Sequence, residues 1–229
     1  MQLNATSYAI LGHLAMRPWT MYDLAAQMRR NVHYFFPRAE SQVYAEPKRL
    51  VKLGLATAEA EATGKRARTV YAITDAGRDE LRRWLAEECK APKIEFEALL
   101  RVIFAPFGDE QDLMAALQRT RDDVGEIFTV GERICDEYLG GTAPLQRHVL
   151  ARSMLHDFLW SYAELVDAWA ERCQQRIEAW PDQTPQERHR AALETYRKHT
   201  HRRRPAPAPM PVHDFHGDPV ADEAASRPG

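Results

Sequence analysis

Residues 41–73 read SQVYAEPKRLVKLGLATAEAEATGKRARTVYAI. Apolar residues in the first part, 41–53, recur at helical spacing, and Gly54 follows them, as glycine often follows the last turn of a helix. The pattern then changes to two short strand-like segments, 55–59 and 69–73, separated by a polar, basic loop. The stretch therefore predicts a helix followed by a two-stranded hairpin with a basic tip.

Helices are also predicted on both sides of this stretch. Residues 6–16 have apolar residues at helical spacing. Thr20 and Asp23 have the spacing of a capping box, which predicts a second helix that ends near Arg30. A linker helix is predicted over 75–88. The order helix, helix, helix, strand, strand, helix is that of a winged helix-turn-helix, which places its third helix in the DNA major groove.

The rest of the chain predicts an all-helical module that forms a dimer. Apolar residues recur at spacings of three, four and seven within 113–138 and again within 155–180. A helix over 144–180 would be roughly 55 Å long, which is more than a module of this size covers alone. We therefore expect a second chain on its surplus apolar face. The residues predicted to form this dimer contact are Leu155, Leu159, Tyr162, Val166, Trp169 and Ile177.

The predicted fold is mainly α, with a winged helix-turn-helix followed by helical dimerisation elements. Its predicted domains are a DNA-binding domain over 1–90, a dimerisation domain with a possible effector site over 91–200, and a disordered Pro-rich tail over 201–229. No apolar run long enough to span a membrane is found in the sequence, and the N-terminus lacks the pattern of a signal peptide. A cytoplasmic location is the prediction.

Charge is distributed unevenly along the chain. The 229 residues have a net charge of −2, but residues 1–73 carry ten Lys and Arg against five Asp and Glu, a net +5, so the other 156 residues sum to −7. Such asymmetry suggests a basic module joined to an acidic one. The positive residues of the predicted third helix and hairpin are the ones that would meet DNA phosphates and bases. The predicted DNA contacts are Ser41, Gln42, Tyr44, Lys48, Arg49, Lys52, Lys65, Arg66 and Arg68.

Several motifs resemble those of the PadR family of bacterial transcriptional regulators. They are residues 7–14 (SYAILGHL), 22–24 (YDL), 42–44 (QVY) with 48–50 (KRL), 53–55 (LGL) and 71–78 (YAITDAGR). The C-terminal part resembles the longer, Vir-like subgroup. The resemblance implies a homodimer that binds a palindromic double-stranded operator, usually as a repressor. In some members of the family, small phenolic or other hydrophobic ligands release the protein from its operator. A ligand pocket between the two modules could use Trp19, Phe36 and Trp160, although most aromatic residues here are expected to belong to a core or a dimer contact.

Two positions depart from the family pattern. Met21 stands where the family commonly has Gly, and Ala45-Glu46-Pro47 stands where it has Pro-x-Leu. Proline lacks an amide donor and disfavours a helical residue before it. The recognition helix is therefore expected either to start late, with Pro47 in its first turn, or to be kinked.

Other kinds of chemistry are weakly supported by the sequence. Cys135 and Cys173 are weak candidates for redox sensing, and His148 and His156 have neither the usual spacing nor a third ligand for a metal. No phosphate loop, nucleophile elbow or HExxH motif is present. We expect no enzyme, no cofactor and no metal. The alternatives to a ligand-responsive regulator are a winged-helix protein-interaction module and a ligand-independent DNA-binding protein.

Overall fold

A computed structural model of the chain describes residues 3–36, 43–63, 66–89 and 91–200. The chain divides into two compact units, with the boundary after Glu178. The predicted tail, 201–229, lies outside the described residues. The first unit begins with the elements α1 (Ala5–Met16), β1 (Trp19–Thr20), α2 (Met21–Phe35), α3 (Glu46–Lys52), β2 (Ala56–Thr63), β3 (Arg66–Ile73) and α4 (Asp75–Leu85).

These elements have the predicted winged-helix order, with one strand more than predicted. The sheet is antiparallel in the order β1-β3-β2, and its added strand pairs Trp19 with Tyr71. A strand of two residues is too short for an alternating pattern, so the sequence gives no signal for it. The wing strands extend over 56–63 and 66–73, beyond the predicted 55–59 and 69–73, because their pairing continues to Thr63 and Arg66.

The predicted end of the second helix is wrong. Helix α2 continues past Arg30 to Phe35, because Val32 extends the buried stripe of Leu24 and Met28 by one more turn. The described recognition helix, α3, begins at Glu46 with Pro47 in its first turn, after a turn at Tyr44 and Ala45 that separates it from the helical Val43. The choice between a late start and a kink stays a prediction, because residues 37–42 lie outside the described residues. Proline suits this position because the amide that it lacks has no partner within the helix there.

The winged helix has an apolar core built from all of its helices. Ile10, Leu11, Leu24 and Leu50 have no exposed surface in this core, and Leu145 joins them from the loop that follows the first long C-terminal helix. Gly54 ends α3 with a positive φ of 72°, a conformation that other residues rarely adopt. Recognition helix, wing and core therefore have fixed relative positions.

The remainder of the first unit is mainly helical, as predicted, but its last helix begins at Val149 rather than at 144, because a 3-10 turn precedes it. It contains α5 (Glu97–Ile103), α6 (Glu110–Leu139) and α7 (Val149–Glu178), with short 3-10 turns at Ala105–Phe107 and Gln146–His148. Asp109 caps α6 as predicted, since its side chain accepts a hydrogen bond from the Gln111 amide at 2.6 Å. The second unit contains α8 (Pro185–Thr200).

Helices α6 and α7 form an antiparallel pair with its own apolar core. Val124 and Ile127 of α6 pack with Leu159, Ala163 and Val166 of α7. Arg121 also forms an ion pair with Asp167 at 2.8 Å between the helices. The two helices therefore cover much of each other's apolar surface within one chain.

The predicted dimer residues differ in how far they are buried in this chain. Leu159, Val166 and Ile177 are buried, the first two in the core between α6 and α7. Leu155 and Trp169 are partly buried, and Tyr162 is exposed. The exposed apolar residues of α7 follow a different stripe, which consists of Leu150, Met154, Phe158, Tyr162 and Leu165.

Among the helices that the structure describes, none combines the length and the apolar character needed to cross a membrane.

Candidate nucleic-acid interface

A groove of about 590 Å³ lies between the start of α2, the recognition helix and the wing. Two exposed tyrosines, Tyr22 and Tyr44, stand at it, together with Lys48 and Arg68. The other residues that line it are Thr20, Met21, Asp23, Thr69 and Tyr71. Hydroxyl and cationic side chains around an open groove are the groups that contact the sugar-phosphate backbone of DNA.

Three predicted residues of the recognition region are exposed on this side of the molecule. Tyr44 is 51% exposed just before α3. Lys48 and Lys52 are exposed within α3, and their spacing of four residues places them on one face of the helix. The groove and this helix face therefore expose two ammonium groups and a phenol.

Arg49 lies differently from its two lysine neighbours. Its Nη1 donates to Glu46 Oε1 at 2.5 Å and to Ser7 Oγ at 3.3 Å, and its side chain is 24% exposed. Glu46 is buried, with 6% of its surface exposed. The structure thus holds the Arg49 guanidinium toward α1, and the groove lining does not include it.

The wing contributes one described cation. Arg68 lines the groove and pairs with Glu61 on the opposite strand, with 3.2 Å between Nη2 and Oε2. Both side chains are 52% exposed, so the ion pair is weak and leaves the Arg68 guanidinium able to pair with a phosphate instead. Ser41, Gln42 and Lys65 lie outside the described residues, as does the side chain of Arg66.

Tyr22 is a candidate contact that the sequence analysis did not single out. It is 74% exposed in the first turn of α2 and lines the groove. Thr20 caps this helix, because its hydroxyl accepts from the Asp23 amide at 3.1 Å and donates to the Asp23 carboxylate at 2.8 Å. The sequence signal for this contact was a large aromatic residue in the first turn of a helix, outside the apolar stripe of that helix.

The three predicted effector residues do not form one site. Trp19 is buried and donates its indole N–H to the His13 carbonyl at 2.7 Å, and Phe36 packs against the same core. Trp160 packs against Phe128 between α6 and α7.

A cavity that none of these three residues lines is found at the junction of the winged helix and the α6–α7 pair. It measures about 10 Å³, enough for one water molecule. Its lining is Gln27, Arg30, Ile134, Tyr138, Pro144, Leu145, Arg152 and His156. Arg30 pairs with Glu137 at 2.5 Å across the junction. The site combines cationic and apolar groups but is closed in this structure.

Two histidines near this junction have lowered basicity. Burial lowers the pKa of His13 to about 4, although its Nδ1 lies 2.7 Å from the Ala9 carbonyl and donates to it. Burial, with smaller effects of Arg147 and Arg152, lowers the pKa of His148. Across the described part of the chain, no group of three or more His, Cys, Asp or Glu side chains could hold a metal ion. The expected absence of a cofactor remains a prediction.

Comparison with known proteins agrees with this geometry. Residues 10–83 match the transcriptional regulator PadR-like family. These residues form a PadR-like domain. The predicted family resemblance is thereby confirmed, and the family's core motifs lie in α1, α3, the wing and the start of α4.

The chain is similar to two curated regulators. It is 30% identical to the negative transcriptional regulator PadR of Bacillus subtilis over 104 residues, which are 44% of this chain and 57% of that protein. It is 33% identical to the probable transcriptional regulator Rv1176c of Mycobacterium tuberculosis over 84 residues, which are 36% of this chain and 44% of that one. The chain thus spans about half the length of the curated relatives it matches.

Solved structures confirm the PadR-like fold beyond the winged helix. B. subtilis PadR in complex with operator DNA aligns with a TM-score of 0.60 at 20% identity, over 76% of this chain and 99% of that one. B. subtilis PadR in complex with p-coumaric acid aligns with a TM-score of 0.51 at 22% identity, over 77% and 99% of the two chains. The coverage includes the helical part, so the predicted fold class is confirmed.

Proposed function

We propose that this protein is a homodimeric, sequence-specific DNA-binding transcriptional regulator that represses its target genes. The observation that carries the proposal is the groove between the start of α2, the recognition helix and the wing of a PadR-like domain, which is lined by Tyr22, Tyr44, Lys48 and Arg68. The named relative in B. subtilis is a negative regulator, which supports repression rather than activation. In this proposal residues 1–90 bind DNA and residues 91–200 form the dimer.

Dimerisation would use the exposed stripe of α7. Leu150, Met154, Phe158 and Leu165 are each at least 59% exposed, and their spacing places them on one helix face, away from the buried Leu159. Tyr162, one of the predicted dimer residues, lies in the same stripe. A second copy of the chain that covers this face would pair two winged helices, and a symmetric pair reads a palindromic operator.

An effector would act at the junction cavity. Arg152 and His156 suit a carboxylate, while Ile134, Pro144 and Leu145 suit an aromatic ring. The complex of B. subtilis PadR with p-coumaric acid supports an effector of this class. Because the cavity holds about 10 Å³, such a ligand would have to open the junction, and Leu145 would carry the movement into the core of the winged helix.

Selection from random DNA tests the proposed function. The purified full-length chain is incubated with a pool of random double-stranded DNA, and bound sequences are amplified and sequenced over several rounds. We expect enrichment of one sequence with two-fold symmetry. A pool that stays random would contradict sequence-specific binding and would favour a winged-helix module for protein interaction.

A further inference from the structure

A buried carboxylate connects the start of the recognition helix to helix α1. Glu46 Oε1 accepts hydrogen bonds from Ser7 Oγ at 2.6 Å and from Arg49 Nη1 at 2.5 Å. Ser7 has no exposed surface, and its backbone amide donates to the Asn4 side chain that caps α1. A carboxylate is seldom buried unless charged and neutral donors surround it, as they do here.

Recognition helix α3 has no other polar attachment at its N-terminus among the described hydrogen bonds. Ala45 occupies the capping position and makes no side-chain cap bond, and Pro47 has no amide hydrogen. Glu46, in the first turn, also places its negative charge where the helix dipole favours it. The Glu46 carboxylate is therefore the polar group that joins the first turn of α3 to α1.

An apolar side chain in this position would serve stability as well or better. Buried ion pairs contribute little net stability relative to well-packed apolar residues, because both charges lose their hydration. The ion pair instead fixes the orientation of the helix, because hydrogen bonds to a carboxylate restrict angles more than apolar contacts do. Leu50 already anchors α3 in the core, so the ion pair is available to set the rotation and tilt of the helix.

We infer that Glu46, Ser7 and Arg49 form a positioning cluster that orients the recognition helix for base reading, and that Arg49 acts through Glu46 rather than by touching DNA. This inference rests on the proposed DNA-binding function. It follows from the geometry that Lys48 and Tyr44 face outward while Arg49, between Lys48 and Leu50, faces α1. Loss of the cluster should impair the reading of bases more than the contact with phosphates.

The test compares affinity for two duplexes in full-length variants. One duplex is the sequence selected from random DNA by the unaltered protein, and the other is a shuffled duplex of equal length. Glu46→Gln keeps the side-chain shape and removes the charge, Arg49→Met removes the guanidinium, and the double variant combines them. Asp79→Asn is the matched control, because Asp79 pairs with Arg82 at the same i, i+3 spacing on an exposed helix face. Melting temperatures are recorded for every variant.

We expect Glu46→Gln to lower affinity for the selected duplex by about tenfold and to leave affinity for the shuffled duplex and its salt dependence unchanged. Arg49→Met should lower affinity for the selected duplex to a similar extent. The double variant should bind that duplex no more weakly than either single variant, because all three variants lose the same ion pair between Glu46 and Arg49. Asp79→Asn should match the unaltered protein. If Glu46→Gln does not fold, Ser7→Ala gives the same comparison with one neutral bond removed.

Two results would overturn the inference. In the first, folded Glu46→Gln or Ser7→Ala keeps the full preference for the selected duplex. In the second, Arg49→Met weakens binding to both duplexes and reduces the salt dependence, as loss of a phosphate contact does. Failure of the unaltered protein to select any sequence is a separate result, because it refutes the proposed function before the variants are compared.

Discussion

Lys48, Arg49 and Lys52 are close in sequence but have different surroundings. The two lysines are exposed beside the groove, whereas Arg49 is bound to a buried carboxylate. The sequence predicted all three as DNA contacts, because basic residues on a recognition helix usually are. The direction of Arg49 depends on Glu46, which is buried in the first turn of α3 beside Ser7 of α1. A pattern of charge along the chain does not contain this information.

Gly77 is a single residue whose size controls how α4 meets the wing. A β-carbon added there would lie 2.1 Å from the Leu55 carbonyl oxygen, which is backbone and cannot move aside. We expect Gly77→Ala to lower the free energy of unfolding by about 1–3 kcal/mol, as overpacking does. Gly125→Ala is the control, since a β-carbon there meets no atom within 4 Å and should stabilise helix α6 by about 0.5–1 kcal/mol. Urea denaturation measures both, and equal effects would contradict this packing.

His13 should make the stability of the protein depend on pH. Its pKa is about 4 in the folded chain, against 6.5 as the ordinary value, with burial as the main cause and Arg152 as a smaller one. The unfolded chain therefore takes up a proton first as the pH falls. Stability is complete above about pH 6.5 and is lost progressively toward pH 4, by about 3 kcal/mol in total.

Replacement of His13 by an apolar residue checks this dependence. His13→Leu should flatten the change in unfolding free energy between pH 6.5 and 4, whereas replacement of the exposed His189 by Asn should leave the slope as it is. An unchanged slope in His13→Leu would mean that other groups cause the acid sensitivity.

At the scale of elements, the sequence predicted the helices with strong signals well. The order of elements through the wing, the Asp109 cap and the end of α6 before Gly140 all agree with the structure. The short strand β1 was missed, because its two residues are set by pairing with Tyr71, which is distant in sequence. The seam of α7 was predicted from spacing alone, and spacing does not distinguish a face that packs on α6 from one that meets another chain.

The exposed face of α7 provides a prediction about assembly. Leu150→Glu combined with Phe158→Glu places two charges in the exposed stripe and should convert the dimer to a monomer without loss of helix content. Glu171→Lys, a charge change at an exposed position of α7 outside the stripe, should remain a dimer. Sedimentation velocity gives the mass of each. A dimer that survives both substitutions would place the interface elsewhere.

At the scale of the whole molecule, the small net charge of −2 is the sum of a basic and an acidic part. The groove lies in the basic part, and the acidic helices repel phosphate elsewhere on the surface. In the proposed function, this arrangement favours modest nonspecific binding and leaves the selection of a sequence to a few residues of α3 and the wing.

An effector that binds in the junction cavity should weaken the binding of the protein to DNA. We expect p-coumaric acid to raise the melting temperature of the unaltered protein and to weaken its binding to the selected duplex. Arg152→Met, which removes a cation from the cavity lining, should reduce both effects together. A ligand that raises the melting temperature equally in Arg152→Met binds at another site. No response of the unaltered protein would favour a regulator that acts without this ligand.

The salt dependence of DNA affinity shows whether the recognition helix contacts phosphates. Affinities of the full-length protein and of a Lys48→Ala, Lys52→Ala double variant are measured for the selected duplex over a series of salt concentrations. A dimer that loses four phosphate contacts should show a slope of log affinity against log salt that is shallower by roughly 3 to 4. Its melting temperature should stay the same, because both lysines are exposed. If the slope of log affinity against log salt is unchanged in the double variant, the recognition helix is not the surface that contacts DNA.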